Sequence, residues 1–279
     1  MRVGQTYFKN TDFIYYAIQE GIIDLGAELV TAHPPALGEM LLRGAVDVAP
    51  VSSIIYGQHP EELVLLPDFS ISAFGETGSI LLFSDDLASL GDLEGKKVAL
   101  PGTSATSSVL LDILLREKEI GAEFVRHPEP DLRAMLRGSD AALLIGDHAL
   151  AAKGEGRKVL ADLGEEWKRL TGLRMVYALW AVRRRFAEAH PDEVEGLSER
   201  LSASRRYAYD HFREVAGVLA TRLGISADAM AWHLSRLDYS LGTENRAGLE
   251  GYFALASKYE LAANPRLEFF RLCSRSRLG

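Results

Sequence analysis

Over roughly the first two-thirds of the chain, short apolar runs alternate with amphipathic helical patterns, and this alternation restricts the possible folds more than any other feature. Residues 2–8, 46–51, 79–83, 97–100, 141–145 and 176–182 read as strands. Each is a short β-rich or apolar run bounded by Gly, Pro or polar residues. Residues 36–43 carry Leu37, Met40 and Leu41 on one helical face and stop at Gly44. Residues 105–118 carry Val109, Ile113 and Leu114, with Arg116 and Lys118 in the last turn, where the helix dipole favours positive charge. The pattern predicts an α/β protein with mostly parallel sheets.

Two stretches echo each other. PALGEMLLRG at 35–44 runs into a strand through Asp47, and PDLRAMLRG at 130–138 does so through Asp140. Each is a Pro-started helix with an Arg-Gly stop, an acid and then a strand. The echo predicts two lobes on one plan. After Arg183 the pattern becomes helical over 190–223, 226–237 and 243–261, with Ser226 and Thr243 as N-caps. This tail is expected to pack on the first lobe. The chain then crosses between lobes near 84–87 and near 177–182, so that 1–84 plus 180–279 form lobe 1 and 85–179 form lobe 2. A cleft between hinged lobes is a natural ligand site.

Composition narrows the function. A mixture of 47% hydrophobic and 25% charged residues is that of a globular protein. The net charge of −8 argues against a nucleic-acid or anionic-membrane partner. The single cysteine, Cys273, is read as a free structural thiol, and the seven scattered histidines lack metal-ligand spacing, so no metal is expected. The first residues lack the apolar core of a secretory signal and no run is long enough to span a bilayer, which predicts a cytoplasmic protein. Nucleophile-elbow, phosphate-loop and H-E-x-x-H signatures are absent. His148, after Asp147 at a strand end, reads as a polar loop residue.

Small polar residues cluster instead at strand ends and helix starts: Asn10, Ser52-Ser53, Gly78-Ser79, the run from Thr103 through Ser104, Thr106 and Ser107 to Ser108, and Gly146-Asp147. In open α/β sheets the crevice beyond the carboxyl ends of the strands is the ligand site. Gly and hydroxyl residues at a helix N-terminus offer backbone N–H groups to a carboxylate or phosphate. Together they predict a cleft that holds a small anion with neutral donors.

At these positions the chain resembles the chorismate dehydratases of the futalosine route to menaquinone. The resemblance rests on RVG at 2–4 with Asn10-Thr11, PALGEMLLRGAVDVAPVSS at 35–53 with Tyr56, LPD at 66–68, GSILLFS at 78–84 and SATS at 104–107. It continues through AALLIGDHAL at 141–150, DLGEEWKRLTG at 162–172, ALWA at 178–181 and YSLG at 239–242. It implies a two-lobed fold of the type II periplasmic-binding-protein kind and conversion of chorismate to 3-(1-carboxyvinyloxy)benzoate and water, with no metal or organic cofactor. It implies that Asn10 and Ser79 are catalytic and that Ser104, Thr106 and Ser107 hold a carboxylate. Thr11-Asp12 and Arg174 depart from the family pattern, and Asp12 is expected to cap its helix.

Two other readings use the same architecture. A solute-binding protein of a transporter predicts an exported chain. The related 1,4-dihydroxy-6-naphthoate synthase relies on a histidine late in the chain, for which His233 is the candidate, although its neighbours Met230 and Leu234 place it in an amphipathic pattern.

Overall fold

The computed structural model describes residues 1–271; Cys273 lies outside the described residues. The chain opens with β1 (Arg2–Thr6), α1 (Lys9–Gln19), β2 (Glu28–Ala32), α2 (Pro34–Leu42), β3 (Val48–Ser52), α3 (Ser53–Gln58) and the long β4 (Leu63–Ala73). It then builds β5 (Ile80–Phe83), β6 (Lys97–Pro101), α4 (Ala105–Glu117), β7 (Glu123–His127), α5 (Leu132–Leu136), β8 (Ala141–Ile145), α6 (Gly146–Gly154), β9 (Val159–Asp162) and α7 (Leu163–Thr171). The remainder is β10 (Met175–Arg183), α8 (Arg184–Ala189), α9 (Pro191–Asp210), α10 (Phe212–Leu223), α11 (Ala227–Arg236), β11 (Leu237–Asp238) and α12 (Thr243–Lys258).

The strands form two sheets, in the orders β2-β1-β3-β10-β4-β11 and β7-β6-β8-β5-β9. Each contains the same β-α-β-α-β-α unit, β1 to α3 in the first and β6 to α6 in the second, and the echo in the sequence is its repeated hydrogen bonding. Asp47 accepts the N–H of Arg2 at the start of β1 (2.8 Å), and its own N–H donates to the Arg2 carbonyl. Asp140 accepts the N–H of Lys97 at the start of β6 (2.9 Å) and likewise donates to the Lys97 carbonyl. A carboxylate at this point satisfies a strand-end amide that lacks a ladder partner.

The sheets are mixed rather than mostly parallel. β10 runs antiparallel between β3 and β4, and β5 runs antiparallel between β8 and β9. Each of these strands comes from the other side of a passage between the sheets. The passages also fall earlier than 84–87 and 177–182: the chain leaves the first sheet at 74–79 and returns at 172–174. Residues 80–84 therefore go with the second sheet and 175–179 with the first. The short Gly-containing segments FGETGS and GLR make the passages, not the strands beside them.

The elements missed in the sequence have physical causes. β2 and β7 are edge strands with weak alternation, and β4 is interrupted by Pro67 and Asp68, the latter at φ 67°, where its register with β10 shifts. The helix expected over 190–223 is two helices, broken at His211, which leaves helical geometry (φ −113°, ψ 30°).

The helical tail packs on the first sheet as expected. The Ser204 hydroxyl of α9 donates to the Ile14 carbonyl of α1 at 2.6 Å. The tail also reaches the second sheet's helices: in α12, Tyr252 donates to the Thr106 carbonyl and Lys258 pairs with Glu117 of α4. At the centre of the first sheet, fully buried Trp180 stacks on Tyr15 and donates its indole N–H to the Tyr15 hydroxyl at 3.0 Å. No helix among the described residues is long and apolar enough to cross a membrane.

Candidate functional site

Between the sheets lies a cleft of about 660 Å³ including its open mouth. It sits beyond the carboxyl ends of β1, β3, β6 and β8, where the chain turns into a helix each time. Asn10, Ser52, Ser79, Ser104, Thr106, Ser107 and Gly146 all line it, drawn from both sheets. Three helices, α1, α4 and α6, begin at its wall, so their positive dipole ends face it, although the Lys9, Ser107 and Gly146 N–H groups there are already taken by Asp147, Ser104 and the Ser79 carbonyl. Among the described residues, none that lines the cleft carries a charge.

The hydroxyls are polarised by the protein around them. Ser104 caps α4, its Oγ accepting the Ser107 N–H at 3.3 Å, and Thr106 Oγ1 accepts the Ile54 N–H at 3.2 Å. An oxygen that already accepts from the backbone has its own hydrogen left to give, which suits an acceptor-only carboxylate. The same logic orients Asn10. Thr6 donates to Thr11 at 2.6 Å, Thr11 donates to Asn10 Oδ1 at 3.3 Å, and the Asn10 amide NH₂ is left as donor. Ser79 is 3% exposed, with its carbonyl accepting the Gly146 N–H at 2.6 Å. Gly146 has φ 54°, and a Cβ there would stand 2.8 Å from the Phe8 ring, so only glycine lets the two walls approach this closely.

Two expected site residues lie elsewhere. Ser53 is fully buried behind Ser52 and donates to the Val176 carbonyl at 2.8 Å, because a strand turning directly into a helix points successive side chains to opposite sides. Replacing Ser53 by alanine is expected to lower unfolding stability in urea by about 1 kcal/mol and leave ligand affinity unchanged. Asp147 also stays off the cleft wall, its carboxylate accepting the Lys9 N–H at 3.1 Å with the Lys9 ammonium at 4.0 Å. It joins α6 to α1. Asp12 caps nothing: its buried carboxylate accepts from Gln5, Gln19 and Lys9. His148 is exposed, away from the cleft.

The strand pattern does not single out Tyr177, and Thr103 stands in a run of hydroxyl residues. Both line the cleft, and both have a buried hydroxyl without a protein partner. Orphaned buried hydroxyls are rare and costly, and the Tyr177 hydroxyl lies against α7, where a Cβ on Gly164 would stand 2.8 Å from it. Tyr177 was illegible because it sits within an apolar strand. His233 is 1% exposed, bonded through Nδ1 to the Thr77 carbonyl at 3.1 Å, and does not line the cleft.

Burial pushes the Asp147 carboxyl up to about 6, against the pull of Lys9, and pushes the His233 imidazole down to about 4. Their effects on stability oppose each other. As pH falls from 7 to 4.5 the unfolded chain protonates His233 before the folded protein does, which costs about 2 kcal/mol. The folded protein protonates Asp147 before the unfolded chain does, which gains about 2 kcal/mol. Replacing Asp147 by asparagine is therefore expected to make the protein about 2 kcal/mol more acid-sensitive over that interval, measured by urea unfolding at both pH values. An unchanged pH dependence removes Asp147 from the balance.

The protein-family profile described as menaquinone biosynthesis matches residues 1–258. A chorismate dehydratase of Thermus thermophilus is 35% identical over 81% of this chain and 86% of its own length. A 1,4-dihydroxy-6-naphthoate synthase of Streptomyces coelicolor is 26% identical over 90% of this chain and 94% of its own. Among solved structures, an alkanesulfonate-binding protein of Xanthomonas axonopodis pv. citri superposes with a TM-score of 0.74 at 16% identity, covering 97% of this chain and 96% of that one. That likeness shows the fold: two-lobed and periplasmic-binding-protein-like, as expected. By the extent of the family match and the identity to the Thermus enzyme, this chain belongs to the menaquinone biosynthesis family.

Proposed function

We propose that the protein dehydrates chorismate to 3-(1-carboxyvinyloxy)benzoate and water, as a step of menaquinone biosynthesis in the cytoplasm. The observation that carries this reading is the cleft's lining: many neutral donors, three helix N-termini, and no charged or histidine side chain among the described residues. Such a lining suits a small dianion whose charge is met by dipoles at short range, against a net protein charge of −8.

The chemistry fits a site without a strong base. Chorismate must lose the hydrogen at ring C3 and the hydroxyl at C4, and aromatisation drives that loss. In our reading the substrate's own enolpyruvyl carboxylate takes the C3 proton. The C3–H electron pair forms the new ring double bond, and the C4 hydroxyl leaves as water by taking that same proton from the carboxylate, which is thereby restored. Asn10 orients the reacting groups through its NH₂, Ser79 holds a carboxylate or assists the departing hydroxyl, Ser52, Ser104, Thr106 and Ser107 hold the rest of the substrate, and Gly146, its N–H taken by Ser79, lets the walls close around it. Catalysis is then positioning and exclusion of water, which also suppress the competing loss of enolpyruvate.

The test is incubation of the purified protein with chorismate. The expected product is aromatic, keeps the enolpyruvyl ether and lacks the 4-hydroxyl. Substrate deuterated at C3 is expected to turn over more slowly. Binding of an unrelated solute without turnover of chorismate supports the transport reading instead.

A further inference from the structure

The first passage between the sheets holds Ser79, and its local geometry is dictated from outside the cleft. Thr77, two residues earlier, is completely buried. Its Oγ1 accepts the N–H groups of Ser79 at 3.2 Å and Ile80 at 3.1 Å, and donates to the Asp162 carboxylate at 3.2 Å. One Asp162 oxygen also accepts the N–H groups of Thr77 (2.9 Å) and Gly78 (2.7 Å). The other caps α7 through the N–H groups of Gly164 and Glu165. A single carboxylate thus ties the outgoing passage to the element that leads into the return. On the opposite side His233 holds the Thr77 carbonyl, and Gly78, at φ 69°, packs so closely on Trp232 that a Cβ would clash.

This arrangement exceeds what a turn requires. The Ser79 backbone is fixed at its N–H by Thr77 and at its carbonyl by Gly146, leaving only side-chain rotation to its hydroxyl. We propose that the Asp162–Thr77 pair is a positioning device for Ser79, fixing its hydroxyl at the cleft while linking that position to the first passage and to α7. Neither residue lines the cleft, so neither touches substrate. The inference rests on the role given to Ser79 above. It also gives a purpose to Asp162, the first residue of the DLGEEWKRLTG segment, which the proposed chemistry does not use.

Thr77→Val isolates the effect, since it keeps the side-chain shape and the cap of α7 but removes the hydroxyl. It is expected to lower kcat about 100-fold, the loss expected from a misplacement of about 1 Å, with KM within about twofold. Thr77→Ser, which restores the hydroxyl, is expected to recover most of the rate. In a Ser79→Ala background, Thr77→Val is expected to cost nothing further, because residues acting through one group are not additive. Asp162→Asn, with one acceptor oxygen for two sets of donors, is expected to lower both kcat and the melting temperature. The proposal is overturned if Thr77→Val lowers only the melting temperature, or if its kcat loss persists undiminished beside Ser79→Ala. Wild-type turnover in Ser79→Ala alone overturns the reading of Ser79 itself, and the positioning role with it.

Discussion

Replacing Asn10 by alanine is expected to lower kcat for chorismate about 10²–10³-fold, the range measured when one preorganised donor is removed from an active site. The fold should survive. The Asn10 side chain makes one long contact to the protein, from Thr11 at 3.3 Å, so its loss disturbs little packing. What disappears is the NH₂ donor that the Thr6–Thr11 relay leaves free at the cleft wall. The aspartate variant separates orientation from charge. It still accepts from Thr11 but presents a negative charge to a dianion in a cleft whose described lining offers no cation, so its KM is expected to rise beyond that of the alanine variant. Steady-state rates of the two variants, with melting curves as control, decide the matter. Wild-type turnover by Asn10→Ala removes the residue from the mechanism.

The second large effect is on the scaffold. Trp180→Ala empties the middle of the first sheet, where the indole meets Tyr15 and Phe69, and leaves the Tyr15 hydroxyl without its donor. A loss of about 3–5 kcal/mol is expected, against a total stability of about 5–15 kcal/mol for typical proteins. For a chain of this size that corresponds to a fall of roughly 10 °C in melting temperature. Trp180→Phe is expected to recover much of it. A shift of only about 1 °C in the alanine variant shows that the sheet does not depend on this residue.

The two predictions probe different parts of one strand-to-cleft design. β10 carries Trp180 into the core and, three residues earlier, Tyr177 into the cleft wall. In the resulting cleft the hydroxyls are anchored from behind by the protein. Anchoring comes from backbone amides accepted by side-chain oxygens at Ser104, Thr106 and Thr77, each leaving the orientation of a donor settled before substrate arrives.

What the amino-acid order alone determined was the repeated unit and the identity of most cleft residues. Apolar strands ending in Gly, Ser, Thr or Asn before a helix are local patterns, and local chain geometry places such residues at the carboxyl edge of a sheet wherever that sheet forms. Asn10, Ser52, Ser104, Thr106, Ser107 and Gly146 were legible for that reason, whereas Ser79 precedes β5 and is brought to the same edge by the antiparallel pairing of β5 with β8. Tertiary structure alone decided the side to which each residue turned, the partners of its polar atoms, and the points of exchange between sheets. Ser53 and Ser52 are neighbours of one type, yet one is locked to Val176 and the other faces the cleft. Thr77 and Asp162 stand 85 positions apart and meet only once both passages are built. Hydrogen bonds between distant segments depend on three-dimensional register, which no short window of sequence encodes.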